Sequence, residues 1–475
     1  MVRRELGLVV GYATSLVGGV LSLVLYAHLL GPAEYGRLAV NLALVEALQG
    51  VLFQWHRLAV VKFWASSERT DIASYLTTYH VTWVGLACLV LLALGAAQIV
   101  APDMRAVIWT ATIAMGIGKS AALYAQELAR AADASLRYSV GALCITIGSS
   151  IAGVAAYNVT HSIVSILLSS TFVFAVSAAL CGLRKGLLGA GGRFSAQYFR
   201  LMLHYGAPLV PVFVATTALT RLDRPVLAEF VAPAVVGVYA AAMALISNVI
   251  SAGCLLVVTP AYPWLLRQKE CRSEDNYRRL HARVGLLMLG GVLAISTSFY
   301  CARLTVLPIL LGDEIGRAAS AYVLPLLAIS IVGAFRAHFL DQAYHLFSRT
   351  RALMMINLVT LVVAAVAVYL GTRWNGLNGL LCGLLIANVL SLLASATFSR
   401  SFVNLKQLTD GVVRLALVSI ISGIAGEVCG QLWVLSMSHS ILTGIASASV
   451  AMLVFAAGMY STNVGAIRSF SLRRS

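Results

Sequence analysis

The sequence predicts an all-α polytopic membrane protein of about fourteen transmembrane helices. They form two pseudo-symmetric six-helix lobes followed by two C-terminal helices. Three observations predict it. Of 475 residues, 60% are hydrophobic and only 11% charged, with a mean hydropathy of +0.88, whereas soluble chains carry roughly a quarter charged residues. The apolar residues gather in runs close to the ~20 that a helix needs to cross a hydrocarbon core, without the strict alternation of barrel strands. Finally, Pro32-Ala33-Glu34-Tyr35-Gly36 and Pro233-Ala234-Val235-Val236-Gly237 hold equivalent places in two similar hydropathy series, which reads as two related halves.

Taken in order, the spans are placed at about 7–30, 38–55, 76–100, 106–126, 139–157, 162–182, 206–222, 236–260, 284–308, 321–343, 353–370, 378–398, 412–434 and 441–460. The first follows Arg3 and Arg4 but is too long for the apolar part of a cleaved signal, so it reads as a retained span. Residues 1–182 make the N-terminal lobe, 183–205 a cytoplasmic amphipathic linker on the membrane surface, and 206–398 the C-terminal lobe. The last two helices and a cytoplasmic tail lie in 399–475, an appendage without an obvious partner. Basic residues alternate between sides. With the N-terminus inside, only Arg37, Arg105, Arg221, Arg224, Arg317 and Arg373 face outward among 34 Lys and Arg. Both termini of this multi-pass protein are therefore expected in the cytoplasm.

That alternation also disposes of the nucleic-acid reading that a net charge of +16 invites. The eight Cys are scattered through apolar runs without metal or redox spacing. Gly118-Lys119-Ser120 ends like a P-loop, but Ile113 stands where the first glycine belongs and no strand precedes it. Asn158-Val159-Thr160 is a formal sequon that nothing else supports. No catalytic constellation can be assembled, so the chain reads as a transporter rather than an enzyme, with no cofactor and no metal.

A charge at the centre of a bilayer costs about 2.5–3.5 kcal/mol on insertion scales, so intramembrane polar residues are the informative ones. Thr217, Thr220, Arg221 and Arg224 share one helical face, and Glu46, Gln49, Phe53 and His56 share another. His338, Asp341, Gln342 and His345 line a third, with Arg336 on a different side. Tyr12, Ser15, Gly19, Ser22 and Tyr26 form a small polar stripe suited to helix packing or to a cavity wall. Arg303 is placed to snorkel outward, and Glu427 stands alone in its span. Glu46 and Asp341 are carboxylates placed to follow a H+ or Na+ gradient.

Three stretches, LLGPAEYGRLAV, LDRPVLAEFVAPAVVGVYAAA and ILLGDEIGRAASAYVLPLLAIS, resemble the Wzx-type oligosaccharide flippases. These belong to the multidrug/oligosaccharidyl-lipid/polysaccharide (MOP) exporter superfamily. Asp223-Arg224 matches a frequent pair of that family, while Pro225 departs from the apolar residue many relatives carry. The resemblance implies alternating access and transfer of a polyprenyl-diphosphate-linked oligosaccharide to the periplasmic leaflet of a bacterial inner membrane. The product would be an O-antigen, capsule or exopolysaccharide, with a polysaccharide polymerase and a chain-length regulator as partners. For such a substrate Arg221, Arg224, Arg336 and Lys119 are the candidate phosphate ligands, because guanidinium forks and ammonium groups match phosphate oxygens. Glu46, His338, Asp341, Thr217 and Thr220 are the candidates for cavity lining or ion coupling. The alternatives are a cation-coupled multidrug exporter, a lipid II flippase of the same superfamily and, from another class, a membrane polysaccharide polymerase. The last should carry a large outer loop, and the chain has none.

Overall fold

A computed structural model describes residues 2–67, 71–100, 106–182, 191–271, 273–347, 349–436 and 441–464. They are helical apart from short connections, with no strand among them. Twelve described helices are long and apolar enough to cross a membrane. The longest of these, α18 (Thr350–Ser399), contains a break at Asn375 (φ −143°, ψ 36°) and Gly376 (φ 50°, ψ −129°). Beyond it the chain runs back on itself, since a Cβ on Gly371 would meet the carbonyl of Gly379 at 2.3 Å and one on Gly383 that of Ala367 at 2.5 Å. It therefore supplies two passes. With the 28-residue α1 (Val2–Leu29), the helices accommodate the fourteen passes expected. The chain is a multi-pass membrane protein.

Only glycine adopts the backbone of residue 376 without strain. Gly376→Ala is therefore expected to destabilise the turn by about 1–3 kcal/mol, read as a lower melting temperature of the purified protein. An unchanged melting temperature would mean that the chain does not turn there.

Contacts divide the chain into two compact units, 1–236 and 237–475. The first holds α1, then α2 (Pro32–Leu48), a π-helical turn Gln49–Phe53 and α3 (Gln54–Ser67) as one interrupted span. It continues with α4 (Ile72–Val100), α5 (Ala106–Ala131) and α6 (Ser135–Leu143), which a second π-turn, Cys144–Gly148, joins to α7 (Ser149–Thr160). Next are α8 (Ile163–Gly182), α9 (Ala196–Gly206), α10 (Val210–Arg221) and the short α11 (Asp223–Ala228). Small residues set the helix spacing, as expected where lipid leaves helices no hydrophobic reason to associate. A Cβ on Gly141 would lie 2.6 Å from the Cys181 sulfur, and one on Gly18 2.7 Å from Thr146. The polar stripe of α1 follows this logic. Ser22 meets Ser150 at 2.5 Å, and Tyr26 is buried with its hydroxyl against Gly153. Helix packing thus accounts for these two members, while the side chains of Tyr12 and Ser15 lie outside the described residues.

The linker helix α9 docks on α3 and α4 rather than only lying on a membrane surface. Ser195 caps it, accepting from the Tyr198 N–H at 3.5 Å, and the Ser195 N–H donates to Thr78 at 2.9 Å. Met202 is buried in a core with Trp55, Trp64, Tyr75, Tyr79 and Tyr124, and Lys62 sits 3.9 Å from the Tyr205 ring centre. Lys185 lies outside the described residues.

In the second unit, α12 (Pro233–Cys271) is followed almost at once by α13 (Glu274–Cys301). Most of the polar segment 261–283 is thus helical extension rather than loop. Pro32 and Pro233 both open a helix, where a missing N–H leaves no hydrogen bond unmade. Span nine ends at Cys301, earlier than expected. The chain then makes two short helices, α14 (Arg303–Leu311) and α15 (Asp313–Ser320), that fold together. After them come α16 (Val323–Phe335), a third π-turn Arg336–Leu340 and α17 (Asp341–Leu346). Two final helices, α19 (Leu405–Ser436) and α20 (Ile441–Thr462), follow α18. They are not an appendage without a partner, because both pack on α13. Gly290 faces Met459, Gly411 faces Leu286 and Gly426 faces the Cys301 sulfur.

Candidate functional site

Three of the candidate basic residues lie in the first unit around Glu46. It stands near the end of α2, immediately before the π-turn. Lys119, from the middle of α5, donates a salt-bridged hydrogen bond to its carboxylate. Arg221, the last residue of α10, and Arg224, in the first turn of α11, are close enough to act electrostatically on the same group. Arg224 also acts on the buried Tyr35 at the start of α2.

The local sequence explains how two arginines reach one place. Pro225 has no N–H, and its ring would clash with the carbonyl of Arg221 four residues back. The helix accordingly stops at Arg221, and α11 restarts at Asp223. Leu222 between them keeps helical angles (φ −81°, ψ −10°), so Arg224 stays close to the face of Thr217 and Arg221. Thr217 lies against the π-turn, where a Cβ on Gly50 would be 2.5 Å from its hydroxyl oxygen. Thr220 is exposed and donates back to Thr216 at 2.9 Å, so it is not brought to the cluster.

Span two does not present the single face expected of it. An i→i+5 turn adds one residue to a helical turn, so the phase carried by Glu46 and Gln49 is lost before His56. Instead Gln49 donates to Gln54, five residues on, at 3.1 Å. His56 is buried on the far side, bonded to the Tyr79 carbonyl at 3.0 Å and 5.0 Å from the Tyr124 ring. Beside the charges, Asn41 accepts from Thr112 at 2.7 Å, joining α2 to α5. Sequence reading passed over this pair, and its signal was two polar residues facing inward from otherwise apolar helices.

In the second unit, Arg336 is buried and donates to Asn357 on α18. Its Nε lies 3.5 Å from Asp341. The expectation that these two occupy different sides of span ten is corrected by the π-turn, which stacks residues i and i+5. His338 is half-buried and His345 exposed. Arg303 does not merely snorkel. It pairs with Glu427 of α19, donates to the Tyr300 carbonyl at 2.8 Å and stacks on that ring at 4.0 Å. Glu427 therefore has a partner and joins α19 to the start of α14.

Of the four expected phosphate ligands, three gather around Glu46 in one unit, and Arg336 is held by neighbours in the other. The cluster in the first unit contains three cations and two carboxylates, Glu46 and the buried Asp223 that lies between the two arginines. Its excess positive charge can hold an anion, and its two guanidinium forks suit phosphate or carboxylate oxygens.

No family profile and no curated protein matches the sequence. Solved structures do. The chain aligns with lipid II flippase MurJ in an inward closed conformation at TM-score 0.70 and 12% identity, over 98% of this chain and 99% of that one. The fold is that of the MOP transporters. An inward-facing multidrug resistance MATE-family transporter of the MOP superfamily aligns at TM-score 0.53 and 12% identity, over 86% and 98% of the two chains. A mutant of the Vibrio cholerae MATE transporter VcmN aligns at 0.50 and 15%, over 84% and 99%. These similar proteins are transporters and a flippase rather than enzymes. At such identities the likeness concerns the MOP fold, and the nature of the cargo has to be argued from this chain's own residues.

Proposed function

We propose that this MOP-fold protein is a flippase for an anionic lipid-linked substrate, a polyprenyl-diphosphate-linked oligosaccharide. It would move this substrate from the cytoplasmic to the periplasmic leaflet of a bacterial inner membrane, with both termini cytoplasmic. The observation that carries the reading is the excess of cations around Glu46. Lys119, Arg221 and Arg224 come from three different helices; Lys119 bonds the Glu46 carboxylate, and the two arginines lie within electrostatic range of it. A diphosphate inside a poorly hydrated cavity needs such matching. A binding region for cationic drugs would have the reverse charge, which disfavours the multidrug alternative. A lipid II flippase carries cargo of the same chemical class, and the 0.70 likeness to MurJ keeps it as the second reading. No residue group here stands out as an ATP site, so a H+ or Na+ gradient, or downstream use of the product, is the proposed source of direction. Glu46 and Asp341 remain the proposed coupling carboxylates, each now seen beside a basic partner.

The test is reconstitution of the full chain into vesicles, comparing a fluorescent polyprenyl-diphosphate sugar, a lipid II analogue and a cationic dye. Translocation of the first in preference to the others supports the proposal. Preference for the lipid II analogue selects the second reading, and transport of the dye alone overturns both.

A further inference from the structure

The Glu46–Lys119 pair differs from another interhelical ion pair, Arg303–Glu427. That pair is one cation on one carboxylate, braced by the Tyr300 ring. Glu46 instead answers to Lys119, Arg221 and Arg224 together. Even with Asp223, which lies between the two arginines, two carboxylates do not neutralise three cations. A diphosphate, with more negative charge and more acceptor oxygens, matches them better. The pair is also within reach of an incoming group, because the Lys119 side chain is 20% exposed and that of Glu46 31%. Anion sites in transporters must release as well as bind, and a carboxylate that competes for the same ammonium group provides release without any new contact.

We infer that Glu46 is a resident counter-anion, whose carboxylate occupies Lys119 between transport cycles and gives way to a substrate phosphate oxygen when the lipid-linked substrate binds. The inference rests on the anionic-substrate reading above. No bond is made or broken in the exchange except hydrogen bonds. The ammonium group keeps a partner throughout, so it is never left bare in a low-dielectric surround. Return of Glu46 to Lys119 displaces the phosphate and completes release. Two contrary effects of one substitution follow: removing the carboxylate's charge strengthens binding and slows turnover.

The experiment measures farnesyl diphosphate binding to the purified full-length protein in detergent, with uncharged farnesol as control, beside flipping in vesicles. Glu46→Gln keeps the side chain's shape and removes its charge. Its dissociation constant for farnesyl diphosphate is expected to fall on the order of tenfold, the size of one charge-assisted contact, while the flipping rate falls. An equal or weaker affinity in E46Q, with an unchanged melting temperature, overturns the inference. If E46Q fails to fold, the double variant E46Q/K119M removes both partners and is compared with K119M alone. Equal binding by the two, both weaker than wild type, supports the exchange, because Glu46 then acts only through Lys119; a different affinity in the double variant, or wild-type affinity in K119M, overturns it. A wild-type protein that binds farnesyl diphosphate no better than farnesol overturns the anionic-substrate reading itself. Binding by wild type with no gain in E46Q removes only the counter-anion role.

Discussion

Replacing both Arg221 and Arg224 by Gln is expected to lower substrate affinity by at least a hundredfold and to reduce flipping to near background. Each arginine can form charge-assisted hydrogen bonds to phosphate oxygens, worth about 1.5–3 kcal/mol apiece, or roughly ten- to a hundredfold in a dissociation constant. Loss of both would leave Lys119 facing Glu46 with no excess charge nearby. Each single variant should lose about tenfold or more. Lys at either position should recover part of the loss, since it keeps the charge and not the planar fork. The fold should tolerate these changes, because Arg221 closes α10 and Arg224 opens α11, and neither is fully buried. Affinity, flipping rate and melting temperature measured on the same preparations decide the matter. Wild-type affinity in the double variant removes the two arginines from the site. A collapse in melting temperature assigns them to the fold instead.

Arg336 is expected to behave in the opposite way, through stability. Its side chain is 10% exposed and that of Asp341 19%, and the guanidinium joins Asp341 on its own span to Asn357 on α18. Arg336→Met would leave a buried carboxylate and a buried amide oxygen without their partner, a change that costs about 3–5 kcal/mol when a buried pair is broken from one side. A large drop in melting temperature and yield is the expected result. Adding Asp341→Asn removes the stranded charge and should restore much of the loss, since replacing both members of a buried pair is often nearly neutral. Full stability in Arg336→Met, together with weakened substrate binding, would return Arg336 to the list of phosphate ligands.

These outcomes separate what the sequence made legible from what it hid. The passes were legible because crossing a bilayer needs a run of apolar residues that composition shows directly. The turn at Asn375–Gly376 was legible as a gap between two such runs. The pairing of Glu46 with Lys119 was not, because the partners lie on different helices and no local period links them. The same holds for Arg303 and Glu427. Span ten was misread for a different reason. Its residues were assigned to faces by a 3.6-residue period, and the π-turn at Arg336–Leu340 suspends that period. The stripe was legible for Thr217, Arg221 and Arg224, which all reach the Glu46 end of span two, and failed only for the exposed Thr220.

The three π-turns also bear on how this chain can change by descent. Each carries one residue more than an ordinary turn, so deleting a single residue within 49–53 would close the helix into regular α form. Everything beyond would then rotate by about 100° and slip by about 1.5 Å along the axis. His56 and Trp55 would swing out of the aromatic core, although no amino acid in that core had been altered. A substitution at the same place disturbs one contact, whereas a deletion there re-indexes the whole remainder of the span. Length in these five-residue windows should therefore be under tighter selection than identity. Gains or losses of residues should instead collect in the connections between helices, where no phase has to be kept.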